Sequence, residues 1–177
     1  SVDTNSKPVP SDLKDIPFTD PVMAGRYLKM IDWVFSQIPE VEVEFLSIGD
    51  EIDLWVGDKK ELYQEFDVFF KTVKTALKTK RPNLKIGFSA TLYGLTKNVP
   101  NELKRINQES DIVLVSYYPV ADTTDALVNI KEPVVVAFDY NALAKMYPGR
   151  VMYIEQTGYP TSSFLGSIER NAFENPK

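Results

Sequence analysis

The sequence contains no cysteine and no histidine. The first absence excludes disulfides and thiolate metal sites; the second excludes His-based triads and imidazole metal ligation. Carboxylate, Tyr, Lys, Ser and Thr chemistry remains, and elimination alone favours a carboxylate mechanism. Positive charge is also scarce: 20 Lys and Arg face 25 Asp and Glu, a net charge of −5. The only basic cluster, Lys78 to Arg81, falls near the end of a helical pattern, where it complements the helix dipole. Nucleic acid is therefore not an expected partner. No window reaches the roughly 20 apolar residues of a membrane span, so no membrane is expected as a partner either. The opening Ser1-Val2-Asp3-Thr4-Asn5 has neither the charged nor the apolar region of a signal peptide.

Against these absences stands an ordinary capacity for a core. With 177 residues, 44% hydrophobic and 25% charged, a single domain over residues 1–177 is expected. Asn5 to Pro21 reads as a polar, Pro-containing loop. Val22, Tyr27, Ile31, Val34, Phe35 and Ile38 recur at helical spacing, so a helix is expected from Val22 to Ile38, ending before Pro39. A strand follows at Val43 to Ile48. A second helix is expected from Lys59 to Lys80, with Leu62, Phe66, Phe69, Phe70, Val73 and Leu77 on its inward stripe and Asp58 as N-cap.

Leu84 to Ala90 reads as a strand, Asn101 to Asn107 as a short amphipathic helix, and Asp111 to Tyr117 as a strand halted at Pro119. Val134 to Met146 reads as a helix, although Val134-Val135-Val136 has strand propensity. Val151 to Ile154 is a further strand and Ser162 to Phe173 a closing helix. This βα rhythm implies a parallel sheet with right-handed crossovers. Either a small doubly wound sheet or a piece of an eight-stranded barrel fits, and length favours the open sheet, since a complete barrel usually needs about 250 residues.

Two acidic strand ends carry the functional content. Phe45-Leu46-Ser47-Ile48-Gly49-Asp50-Glu51 and Val151-Met152-Tyr153-Ile154-Glu155-Gln156 each place a carboxylate where an apolar run gives way to turn chemistry. In one parallel sheet two such ends share a mouth, and a glycosidic bond could lie between them. Trp55, Tyr93 and Tyr159 could stack on sugar rings or equally pack loops. Tyr117 and Tyr118 alternate, so one faces the mouth and one the helices; Tyr118, before Pro119, is preferred for the site. Asp53, Asp58, Glu61 and Asp67 match neither an EF-hand loop nor a helical ligand pair, so they read as capping and solvated helix residues. No metal is expected.

These strand ends resemble those of clan-A retaining glycoside hydrolases, TIM-barrel enzymes that include endo-galactanases and plant-type glucanases. Ile48-Gly49-Asp50-Glu51 is similar to the end of the fourth strand, which carries the acid/base Glu. Glu155-Gln156-Thr157-Gly158-Tyr159-Pro160 is similar to the end of the seventh, which carries the nucleophile. Ser116-Tyr117-Tyr118-Pro119 is similar to the sixth, where the clan places a Tyr beside the nucleophile.

The resemblance implies a partial (β/α)8 barrel covering roughly strands three or four to seven, with Val2-Asp3-Thr4-Asn5 as the tail of strand three. Glu51 would be the acid/base and Glu155 the nucleophile; Asp50, Trp55, Tyr118, Gln156 and Tyr159 would bind substrate. It also implies a carbohydrate partner, no cofactor and, as for many polysaccharide hydrolases, export. A partial barrel exposes strand edges, so a second copy or a complementing barrel segment is an expected partner.

Two departures from the clan pattern matter. Asp50 stands where the clan has Asn; an ionised Asp only accepts hydrogen bonds. Counting back from Gly158, the Glu-Thr-Gly-Tyr-Pro form of the motif puts Gln156 at the nucleophile position. A bulge would restore Glu155, and strand alternation lets only one of the two face the mouth.

Overall fold

The computed structural model describes residues 9–124 and 127–158. Pro10 leads into a short 3-10 turn at Ser11–Leu13. Helix α1 (Pro21–Gln37) follows, begun by Asp20, whose side chain accepts from the Val22 amide, and by Pro21 in the first turn. Strand β1 (Phe45–Ser47), the short helix α2 (Ile52–Val56) and the long helix α3 (Lys60–Lys80) come next. Strands β2 (Lys85–Gly87) and β3 (Ser89–Thr91) precede a π-helical turn at Gly94–Asn98 and helix α4 (Pro100–Asn107). Then follow β4 (Val113–Tyr117), an antiparallel hairpin of β5 (Val120–Thr124) and β6 (Leu127–Ile130), helix α5 (Val135–Met146) and β7 (Met152–Thr157).

The sheet decides between the two architectures that the rhythm allowed. β1 pairs parallel with β2, β3 with β4, and β4 with β7. β2 and β3 are one path interrupted at Phe88: the Ile48 amide donates to Gly87 O and the Ser89 amide to Gly49 O, carrying the ladder across the break. Four parallel strand paths therefore lie side by side in chain order, with no reversal. A doubly wound sheet reverses its order at a switch point; a barrel does not. The winding is that of a barrel, and the expectation from length is corrected.

The core lies between this sheet and α3. Phe66 and Phe70 of α3 meet Phe88 edge-on, with ring centroids 5.7 and 5.5 Å apart, and Ile48, Ile86, Val73 and Leu77 close the layer. Each such fully buried ring or aliphatic contributes about 1.5–3 kcal/mol of transfer free energy. The α3 stripe holds, except that Tyr63 is fully buried while Leu62 is only partly so.

Several expectations are corrected. Asp58 does not cap α3; Lys59 sits at that position with no side-chain bond. Asp53 and Asp67 are buried rather than solvated. Val22 and Val34 of α1 are exposed, because only one flank of α1 packs, against α3. Helix α2 and the β5–β6 hairpin were not anticipated. The expected strand tail at residues 2–5, the closing helix at 162–173 and Tyr159 lie outside the described residues.

Candidate active site

The carboxyl ends of the four strand paths form one mouth, and what reaches it is set by two backbone irregularities. The first is at the end of β1. Gly49 has φ 91° and Glu51 has φ 43°, the latter being the one non-glycine positive φ among the described residues. A side chain at Gly49 would run into Ile52 and Phe66, so the turn needs glycine. Glu51 tolerates a left-handed conformation that costs a non-glycine residue roughly 1–2 kcal/mol. It thereby serves as the residue before α2, with the Leu54 amide donating to its carbonyl at 3.0 Å.

The second irregularity is a bulge in β7. Val115 pairs with Ile154 but Ser116 pairs with Gln156, leaving Glu155 as the extra residue. A bulge re-aims side chains that strict alternation would send to opposite faces. Here it brings both members of the pair to the same acidic cluster. Gln156 Nε2 donates to Asp50 Oδ1 at 2.9 Å, and Tyr118 donates its hydroxyl to Gln156 Oε1 at 3.2 Å. Glu155 faces the Ser47 and Ser89 hydroxyls and feels the charge of Asp50. The expectation that only one of Glu155 and Gln156 faces the mouth is thus corrected.

The electrostatics follow from the crowding. Burial pushes the Glu51 carboxyl above the usual range, the charges of Asp50, Asp53 and Glu155 add to this, and the Ser116 hydroxyl pulls the other way. Burial also raises Glu155, with Asp50 adding to it, while Ser47 and Ser89 oppose. Among the described residues, Asp50, Glu51 and Glu155 take part in no ion pair. One Glu155 carboxyl oxygen, Oε2, is buried without a hydrogen-bond partner. Such a group favours its protonated form or a donor supplied from outside. Among the described residues, no cluster of acids has the geometry of a metal site.

Five of the residues singled out from the sequence therefore converge: Asp50, Glu51, Tyr118, Glu155 and Gln156. Tyr117 turns away, its hydroxyl donating to Asp139 Oδ2 of α5 at 3.1 Å, so the choice between the two tyrosines falls to Tyr118. Trp55 is not brought to the mouth. Its ring meets Phe18 edge-on at 5.4 Å, and Phe18 packs on Phe66 and Phe69 of α3, on the helix side of the sheet. Tyr93 is largely exposed. Sequence reasoning gave no role to Ser47, Ser89 and Ser116, although each sits at a strand end; Ser89 and Ser116 are buried and share a 3.0 Å hydrogen bond. Small hydroxyls at the ends of three successive strand paths were the available signal.

No family model matches the sequence, and no curated protein matches it. Among solved structures, an Ignisphaera aggregans GH53 catalytic domain matches over 90% of this chain and 43% of that one, with TM-score 0.63 and 17% identity. A monomeric beta-xylosidase from Caulobacter crescentus CB15 matches over 76% of this chain and 31% of that one, with TM-score 0.48 and 16% identity. The chain thus spans less than half the length of either. The first likeness, together with the strand order, shows the fold: part of a TIM barrel.

Proposed function

We propose that this partial barrel carries the catalytic carboxylates of a retaining hydrolase for β-linked poly- or oligosaccharides. Glu51 protonates the departing glycosidic oxygen and later activates water; Glu155 attacks the anomeric carbon. The observation that carries this reading is the β7 bulge, which sets Glu155 beside Asp50 and Glu51 at the mouth instead of leaving Gln156 there alone.

The division of roles follows from the surroundings. Glu51 feels three neighbouring carboxylates and one opposing hydroxyl, whereas Glu155 has two hydroxyls favouring its charged form. In a coupled pair the titration belongs to the two groups together, and the difference in their surroundings is the basis for the roles proposed here. Glu51 is the acid/base and Glu155 the nucleophile in this proposal. Asp50, oriented by Gln156, accepts from a sugar hydroxyl, and Tyr118 holds Gln156 in place.

The test is turnover of a panel of activated aryl β-glycosides, with the first-formed anomer read by NMR. Hydrolysis with retention, lost in both Glu51→Gln and Glu155→Gln, is expected. Inversion would require the wider carboxyl separation of about 6.5–9.5 Å and would remove the nucleophile role from Glu155.

A second reading is favoured by one observation: the residue in ladder register with Ser116 is Gln156, and its amide occupies Asp50. A carbohydrate-binding protein without turnover would use the same cluster. Saturable oligosaccharide binding with no product would select it.

The structural partner in this reading is a set of complementing (β/α) units. β1 pairs with β2 alone and β7 with β4 alone among the described residues. Tyr153 and Ile154, on successive positions of β7, are both exposed, as are Met30 and Trp33 of α1. Size-exclusion chromatography of the chain tests this: self-association means that a second copy supplies the missing cover. A monomer that leaves a hydrophobic dye unbound overturns the need for cover.

A further inference from the structure

Asp53 lies two residues beyond Glu51, is 2% exposed, and bonds its own amide and groups of the next strand path. Its Oδ1 accepts from the Thr91 amide at 2.8 Å and its Oδ2 from the Thr91 hydroxyl at 2.5 Å. The same hydroxyl accepts from the Gly94 amide at 2.9 Å. Both capacities of Thr91 Oγ1 are thereby used, and α2 is tied to the end of β3 and to the π-helical turn. A Cβ at Gly94 would overlap the Asp53 carboxylate, so the close approach needs glycine there. At the other end of α2, the Tyr63 hydroxyl donates to Gly57 O at 3.0 Å.

A five-residue helix has little intrinsic stability, and a buried carboxylate contributes little net stability even when fully hydrogen-bonded. Neither group is explained by stability alone. What the clamp does determine is the backbone just before α2, where Glu51 sits in its left-handed conformation. The ties to Thr91 and Gly94 are the polar contacts of the first turn of α2, nearest the left-handed Glu51 backbone, while Ile52 and Val56 seat the apolar side of the helix in the core and Tyr63 holds its far end.

We infer that Asp53 is a positioning residue: clamped on Thr91 and Gly94, it fixes the start of α2 and thereby holds the Glu51 carboxyl at the mouth beside Glu155. The inference rests on the reading of Glu51 as acid/base, but it can be read without turnover. Asp53 does not touch substrate.

The experiment compares Asp53→Ala, Asp53→Asn, Thr91→Val and Gly94→Ala. It uses NMR titration of 13C-labelled Glu carboxyls, thermal melts and, where the parent hydrolyses aryl β-glycosides, kcat and KM separately. Asp53→Ala and Gly94→Ala should move the Glu51 titration and leave that of Glu155 in place. They should lower kcat at least about tenfold with KM nearly unchanged, as loss of orientation does. Asp53→Asn removes the same charge as Asp53→Ala but keeps the shape and one acceptor, so it should restore most of kcat, and any difference in the Glu51 titration between the two variants reads position rather than charge. If Asp53→Ala does not fold, Thr91→Val, which retains the backbone bond, decides by the same readouts.

A lowered melting temperature with the Glu51 titration and the kcat of the folded fraction unchanged would overturn the inference and leave Asp53 a plain staple. A Glu51 titration that moves in Gly94→Ala, which keeps the Asp53 charge, in a protein without turnover would support the positioning while removing the hydrolase reading.

Discussion

The two ends of the parallel sheet handle their clustered carboxylates in opposite ways. At the amino end Asp111 accepts from the Ile86 amide at 3.1 Å and forms ion pairs with Lys74 at 2.8 Å and Lys78 at 3.2 Å. Burial pushes its carboxyl up, but the two lysines and the amide outweigh it and hold the group below the usual range. At the carboxyl end Asp50, Glu51 and Glu155 crowd together with hydroxyls but no cation, and burial raises Glu51 and Glu155. The fold invests one set of acids in stability and keeps the other at an electrostatic disadvantage. This contrast between the two ends is the physical basis of the proposed site.

The largest expected effect on stability is at the amino end. Asp111→Ala leaves two lysines and an amide without their acceptor and should cost about 2 kcal/mol in urea denaturation at neutral pH. A loss near zero would erase the contrast between the two ends.

Next in size is the opposite response at the mouth. Glu155→Gln and Glu51→Gln each remove a carboxylate whose folded pKa is raised and should each raise stability slightly at pH 7, while the proposed turnover is lost. Destabilisation by both would mean that the cluster is a support after all.

The pH dependence sharpens the comparison further. Glu51 and Glu155 bind protons more tightly folded than unfolded, so between the ordinary carboxylate pKa and their raised values stability falls as pH rises. Asp111 binds its proton less tightly when folded. Its contribution is present above the ordinary value and is lost as pH falls through the lowered one. The gain from Glu155→Gln should therefore shrink on acidification through the raised range, while the cost of Asp111→Ala should persist until the pH falls below the ordinary Asp value. Denaturation curves of the three proteins across that range check both slopes.

The smallest effect concerns the Gln156 network. Tyr118→Phe removes one hydrogen bond to Gln156 and should cost about 0.5–1 kcal/mol, with a modest rise in KM if Asp50 is held through Gln156.

The extent to which the sequence revealed this arrangement follows from where the determining contacts lie. The four strand paths and α3 were legible because apolar runs and the Phe66, Phe70, Val73, Leu77 stripe are local patterns. Helix α2 was not, since its five residues are held by Thr91, Gly94 and Tyr63 from other elements. Asp53 reads as a solvated residue from the sequence because its burial is made tolerable by those distant partners.

Glu51, Glu155, Asp50 and Gln156 were legible as strand-end residues. Their convergence depended on the β7 bulge, which the one-residue offset of the motif allowed but which only the pairing of β7 with β4 decides. Trp55 was drawn to the site by its type and sequence position, yet its neighbour Phe18 draws it to the helix layer.

The most direct test of the paired carboxylates is azide rescue of Glu51→Ala and Glu155→Ala acting on an activated aryl β-glycoside. With Glu155 as nucleophile, azide intercepts a glycosyl-enzyme in the Glu51 variant and yields the β-glycosyl azide, whereas in the Glu155 variant azide attacks directly and yields the α-anomer. Opposite anomers from the two variants are predicted. The same anomer from both, or no rescue in either, would contradict the assignment.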